Sequence, residues 1–458
     1  MKTIYPTLLM FLFVVSCTPS ESSSELSSSS LTSSEQTLLA AREALYTEQE
    51  KSFNFFWETT TTANVAGFGL SRDRWPGNPT IASIASVGFA LASIPSGVHQ
   101  GFISRAEGEA RVLGTLNSLM NMTRVEGFYY HWVNMTTGAR EWNSEVSIID
   151  TGLMLAGAIV AAEYFGGEIA TLVEEIYLDV NWDWYTKVTS STNKEFYMSY
   201  RPNEGHRGAW DHFAEQMILY VLAAGHPDFS HGDDLYKTLV SRSFNNNYIR
   251  GYTSTKTQEV VAPFIYSYDG SLFQHQFSHA FIDFRSIQDE AEINWFENAR
   301  RATRANYLYT QDFSHRYLTY HETSWGLSAG DGPNEYRAYG AQPAKANAHN
   351  GTIVPYAAVA SINYLEEESL LATLNYASIT QLQTTYGFAD AYNLGPVDDA
   401  YNQTIANLTP WYDLHVLGID KGISLLMIEN YRSELIWDMF MANDFVQTGL
   451  DVLGFQTV

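Results

Sequence analysis

Residues 147–162 read SIIDTGLMLAGAIVAA. A polar start, Ser147 to Asp150, runs directly into a helix that is apolar nearly all round. A helix with no polar face has nothing to offer water and must be buried. The same event recurs along the chain. It is seen at Pro79-Thr80-Ile81-Ala82 running to Ile94, at His212-Phe213-Ala214-Glu215 running to Ala224, and at His275-Gln276-Phe277 running to about Phe284. Fainter copies begin at Asn350-Gly351-Thr352, running to Ile362, and at Asp420-Lys421-Gly422, running to Ile428.

The six starts lie near 79, 147, 212, 275, 350 and 420, which leaves room for one amphipathic partner per buried helix. Ser104-Arg105-Ala106-Glu107 opens one such partner with a capping box, and a second is predicted from Asp289-Glu290 to Tyr309. Six buried and six outer helices predict an all-α fold, an (α/α)6 barrel. Its inner helices run parallel, so their six N-termini open on one concave end.

Polar residues gather at those N-terminal ends. Arg72, Asp73 and Trp75 precede the first, and Trp142, Asn143 and Asp150 open the second. Asp211, His212 and Glu215 open the third, His275 and His279 the fourth, His349 and Asn350 the fifth, and Asp420 the sixth. Capping and the helix dipole each favour acids in a first turn, so any one of these residues is ordinary alone. Six polar clusters aimed at one rim predict a site.

Composition narrows what that site takes. The chain has 51 acidic against 26 basic residues, a formal net charge of −25. That field repels nucleic acid and polyanionic polysaccharide. Neutral sugars are compatible with it, and the 29 Tyr, 25 Phe and 11 Trp supply faces on which a sugar stacks.

Residues 1–16 read as a secretory signal, with Lys2 before the apolar run Leu8–Val15 and Ser16 before the break. Val14-Val15-Ser16-Cys17 reads as a lipobox, with Cys17 as the lipidated residue. Cys17 is the sole cysteine, so no intrachain disulfide is expected. The Ser-rich stretch 17–36 reads as a flexible tether resembling the surface-export signal of Bacteroidota lipoproteins, and 37–458 as one catalytic domain. Membrane attachment through the lipid anchor alone, at the outer membrane on the cell surface or periplasmic face, is expected.

Glycosidic cleavage needs a proton donor and a carboxylate that activates water or attacks directly. Glu215 and Asp150 are placed for this, since each abuts a long apolar run whose desolvation would raise a carboxyl pKa. His275 and His279, at i and i+4, have the spacing of a metal pair but lack further ligands at matching spacing. Hydrogen bonding to sugar or core is expected instead, with no metal and no cofactor. Glu429 and Arg432 are expected to form an internal ion pair.

Several stretches carry a family resemblance in chain order: Phe55-Phe56-Trp57, Gly69-Leu70-Ser71-Arg72-Asp73-Arg74, Ile149-Asp150-Thr151-Gly152-Leu153 and Ala214-Glu215-Gln216-Met217-Ile218-Leu219-Tyr220. His275–His279, Trp325–Asp331, Asn350–Pro355, Tyr386–Ala391 and Ile428–Arg432 continue it. The chain resembles the glucoamylase-like proteins of Bacteroidota, related to glycoside hydrolase families 144 and 162, the endo-β-1,2-glucanases. The resemblance implies an inverting hydrolase on an (α/α)6 barrel, with Glu215 as general acid. Asp150 matches the acid opening the second inner helix. Where the β-1,2-glucanase pattern has two more aspartates, seven and three residues earlier, this chain has Asn143 and Ser147. The base role then falls to Asp150, Asp390 or Asp420. Arg72, Asp73, Trp142, Asn143, His275, His279, Trp325, Asp331 and Asn350 are expected to bind substrate, with Trp75 a further stacking candidate. The expected partners are a neutral glycan, β-1,2-glucan first, and an outer-membrane glycan importer.

Two rival functions share parts of this pattern. A non-catalytic glycan-binding lipoprotein would need the anchor and the aromatics but not the acids. A polysaccharide lyase would need cations around a uronate, against which the charge speaks.

Overall fold

The computed structural model describes residues 32–397 and 410–458. Cys17 and the Ser-rich stretch through residue 31 lie outside the described residues. The end of the expected tether does not hold: α1 (Ser33–Thr59) begins there, because Thr32 and Glu35 form a reciprocal capping box.

Exposed and buried helical segments then alternate. Buried α2 (Ile84–His99) is followed by α3 (Arg105–Asn121), which starts at the predicted Ser104–Glu107 capping box. Buried α4 (Ile148–Phe165) is followed by α5 (Gly167–Leu178), and buried α6 (Met217–Ala224) by α7 (Asp234–Asn245). The fourth buried segment consists of 3-10 turns, Leu272–His275 and Ser278–Ala280, rather than the α-helix expected. After it come α8 (Trp295–Asp312), the short buried α9 (Pro355–Val359), α10 (Glu366–Ser378) and buried α11 (Gly418–Ser433). The C-terminal α12 (Leu435–Ala442) packs on α4, and α13 (Asp444–Val452) on α6.

Packing among the buried helices is close. α2 lies between α4 and α11, α4 also meets α6, and α11 also meets α9. Glycine permits the tightest contact: a Cβ on Gly157 of α4 would sit 1.9 Å from the Gly88 carbonyl oxygen of α2. Nearly every side chain of α4 is buried, and each large apolar one contributes about 1.5–3 kcal/mol. α4 is also long and apolar enough to cross a membrane, but 78% of it is covered by the protein itself.

Three boundaries differ from expectation for local reasons. Residues 289–294 precede α8 as a turn, because the Asp289 carboxylate accepts the Ala291 and Ile293 N–H groups and the Tyr236 hydroxyl, while Asn294 caps the helix. Residues 350–354 stay out of α9, since Ile353 pairs with Tyr392 and Pro355 starts the helix. Residues 212–216 fold as a turn in which Gln216 Oε1 accepts the Ala214 N–H and its Nε2 donates to the His212 carbonyl.

The chain is mostly helical rather than purely helical. Short strand pairs sit immediately ahead of buried helices: Ile81–Ser83 with Trp132–Asn134, Val146–Ser147 with Ser199–Arg201, and Val416–Leu417 with Arg74–Trp75. β-branched Ile81, Val146 and Val416 favour the extended form, and Ser83 and Ser147 then serve as N-caps.

Candidate active site

A cavity of about 500 Å³ opens where the buried segments begin. Each segment contributes to its wall: Ser83 and Ala85 from the start of α2, Ile149 and Asp150 from α4, and Glu215 from the turn before α6. Phe273 comes from the first 3-10 turn and Phe277 from the cap of the second, Tyr356 from α9, Leu417 from the strand ahead of α11 and Ile419 from α11 itself. Asp73, Arg74, His131, Trp132 and Tyr336 complete it from the strand pairs and loops.

Glu215 is the most perturbed carboxyl on that wall. Its Oε2 is buried without a hydrogen-bond partner, and its backbone carbonyl is fixed by the Ser278 hydroxyl at 2.6 Å. Burial pushes its pKa up to about 7, against the pull of its own backbone N–H, and the charges of Asp269 and Asp150 add to the rise.

Asp150 has the opposite surroundings. The Ser147 hydroxyl donates to its Oδ2 at 2.5 Å and the Ala85 N–H to its Oδ1 at 3.3 Å. His131 Nε2 lies 3.6 Å from Oδ1. Burial opposes a charge on His131, but Asp150, Glu145 and Asp73 outweigh it and raise its pKa. The hydrogen bond from His131 Nδ1, at 2.8 Å, holds Glu145 down to about 2 against burial. Asp73, also on the wall, is pushed up by burial.

A second acidic cluster adjoins the wall residues Tyr336 and Tyr356. Asp390 and Asp420 are buried neighbours whose charges oppose one another, and both Asp420 oxygens are buried without a hydrogen-bond partner. Burial pushes Asp390 up to about 6, while burial and the neighbouring Asp390 hold Asp420 well above the carboxylate range. The Asp331 N–H donates to Asp390 Oδ2 at 2.5 Å, and the Asp331 carboxylate forms an ion pair with Arg74. Asp331, Asp413 and His415 bring ligand atoms within 4.8 Å of one another, as a metal would need, but Arg74 already supplies positive charge there.

Of the residues expected from sequence, the structure brings Glu215, Asp150 and Asp73 to the cavity and leaves others off its wall. His275 and His279 are core residues: the segment turns as 3-10, so Phe273 and Phe277 face the cavity instead. His275 packs on Phe213 and His279 on Phe284, and burial pushes both rings down to about 3. Trp325 is fully buried against Tyr307. Asn350 closes its own turn, accepting the Thr352 N–H and, through its carbonyl, the Asn393 amide. His349 sits among Tyr309, Phe313 and Tyr320. Arg72 ties its own loop through the Gly77 carbonyl, and Trp75 packs edge-on against Tyr386. Asp390, Asp420 and Asp331 form the second acidic cluster, beside Tyr336. Trp142 and Asn143 lie on an exposed loop beside the cavity.

Glu429 and Arg432 do not pair with each other. Glu429 accepts from Gln49, Ser96 and Gln100, whereas Arg432 donates to Gln49 Oε1.

Sequence reasoning missed His131, Trp132, Tyr336 and Tyr356. The aromatic run Tyr129-Tyr130-His131-Trp132, 18 residues ahead of Asp150 at its last member, was the available signal for the first two.

Residues 207–444 match the Glycoamylase family model, described as "Putative glucoamylase". The exo β-1,2-glucooligosaccharide sophorohydrolase (non-reducing end) of Parabacteroides distasonis is 27% identical over 434 residues. The match takes in 88% of this chain and 56% of that relative, so the chain spans little more than half the relative's length. The crystal structure of a β-1,2-glucanase from Parabacteroides distasonis superposes with a TM-score of 0.76 at 26% identity, over 90% of this chain and 60% of that one. An endo-β-1,2-glucanase from Chitinophaga pinensis, solved with sophorotriose and glucose, has the same fold, with a TM-score of 0.75 at 24% identity over 91% and 99% of the two chains.

Proposed function

The chain belongs to the Glycoamylase family, and from that premise we propose that it is a glycoside hydrolase that cleaves a neutral β-glucan, β-1,2-linked glucan first, with inversion. The observation that carries this reading is Glu215: a carboxyl with a pKa near 7 and a buried, unpaired oxygen, on a cavity wall it shares with Asp150. The alternating segments, all contributing to one cavity, support a closed (α/α)6 barrel.

In this mechanism protonated Glu215 donates its proton to the glycosidic oxygen as the bond to the anomeric carbon breaks. Asp150, held by hydrogen bonds from Ser147 and the Ala85 N–H, takes a proton from a water whose oxygen bonds that carbon from the opposite face. One water is consumed per bond, and solvent restores both carboxyls. His131 holds Asp150 in place. Phe273, Phe277 and Tyr356 give the sugar apolar and aromatic surface.

The anchor belongs to the same reading: lipidation at Cys17 would hold the enzyme at the outer membrane, where released oligosaccharides pass to a glycan importer. Incorporation of labelled fatty acid that persists in Cys17→Ser would rule the anchor out.

The function is tested by incubating the purified protein with β-1,2-glucan and following the anomer released by proton NMR. The expected result is release of α-anomeric product, reduced about 10²–10⁴-fold in Glu215→Gln. Glycan binding with no turnover would favour a binding protein, and an unsaturated product a lyase.

A further inference from the structure

We propose that Trp142, with Trp132 behind it, is an aromatic platform that holds a neutral hexopyranose unit of the glycan outside the catalytic cavity; the proposal rests on the glycan reading above. Trp142 and Asn143 are consecutive non-glycine residues in the left-handed region, with φ of 52° and 50°. Bulky side chains rarely adopt that backbone, and it persists where the surroundings impose it. Here they do. Arg140 donates to the Ser144 carbonyl at 2.6 Å and the Asn143 carbonyl at 2.7 Å, and Arg201 donates to the same Asn143 carbonyl at 3.1 Å. Glu141 bonds back to the Trp132 carbonyl through its N–H at 2.9 Å.

The product of this bracing is an indole that is 53% exposed. Its ring neighbour is Trp132, 5.5 Å away at 59°. Trp132 stacks on His131 at 3.6 Å and lines the cavity, and His131 reaches Asp150. A ladder of three rings therefore leads from the catalytic carboxylate to solvent. Both neighbouring arginines are spent on carbonyls, and Arg201 also on Glu145, so the platform suits a neutral sugar rather than a uronate. The amphipathic indole face matches the C–H face of a pyranose.

The test compares short and long β-1,2-glucooligosaccharides as substrates for the native protein, Trp142→Ala and Trp142→Tyr. Trp142→Ala is expected to raise KM for the long chains about tenfold with kcat held, the short chains being spared, and Trp142→Tyr to retain most of the native KM. An equal loss on both lengths, or no loss, overturns the platform. If the native protein cleaves neither substrate, the hydrolase reading fails. Indole fluorescence quenching by the long chain then decides the platform. Quenching weakened in Trp142→Ala sustains it, and quenching unchanged or absent overturns it.

Discussion

Glu215 and Glu429 are carboxylates at opposite ends of the buried helices, one just ahead of α6 and the other in the last turns of α11. Glu429 is fully buried, and five side chains serve it: Gln49 at 2.5 Å, Ser433 at 2.6 Å, Ser96 at 2.7 Å, His99 at 2.9 Å and Gln100 at 3.0 Å. It ties α1, α2 and α11 together. Glu215 faces a cavity with one oxygen unpaired. Burial alone therefore does not mark a reactive carboxyl. A buried carboxylate whose lone pairs are all taken is structural, and one left unpaired beside open space is available to exchange a proton.

The contrast is broken most severely at the chemistry. Glu215→Gln should lower kcat/KM about 10²–10⁴-fold on β-1,2-glucooligosaccharides, whereas Glu429→Gln should leave the rate near native; steady-state kinetics on both variants check this. The stabilities should then reverse. Glu429→Leu strands five donors, of which Gln49 and Ser96 are fully buried, and should cost about 3 kcal/mol in urea unfolding.

Stability against pH sharpens the comparison further. The Glu215 pKa is raised from 4.5 to about 7 on folding, so its contribution is fully present below 4.5 and is lost as pH rises through 7. Removing the titration should make Glu215→Gln more stable than native by about 3 kcal/mol above pH 7, with the gap closing at acid pH. Melting at both pH values measures it. Smaller still, His131→Asn removes the imidazole beside Asp150 and should cost about tenfold in kcat/KM, or about 1.4 kcal/mol. Least of all, Ser104→Ala should cost about 1 kcal/mol at the α3 cap with no effect on rate.

How far these regions were legible in the sequence follows the same division. α2 and α4 could be read because each is apolar on nearly all faces, and α3 because Ser104 and Glu107 announce it, whereas α11 was fainter because it buries Asp420, Lys421, Glu429 and Asn430 among its apolar residues. The fourth buried segment could not, since an apolar run does not distinguish a 3-10 turn from an α-helix. That error moved His275 and His279 to the rim and hid Phe273 and Phe277. Glu215 and Asp150 were legible because each adjoins a long apolar run and opens or precedes a helix. Tyr336 and Tyr356 were not, because nothing local marks which loop folds over the cavity. The juxtaposition of Asp390 and Asp420, 30 positions apart in chain and neighbours only in space, lies equally beyond any local pattern.

The most direct test of Glu215 as the acid is the pH dependence of kcat/KM on a β-1,2-glucooligosaccharide, measured from acid to alkaline pH for the native protein and Glu215→Gln. The account predicts a native rate that falls on the alkaline side with a midpoint near 7, where Glu215 loses its proton, and a small residual rate in Glu215→Gln without that limb. A native rate flat or rising through pH 7, or the same alkaline limb in Glu215→Gln, would contradict it.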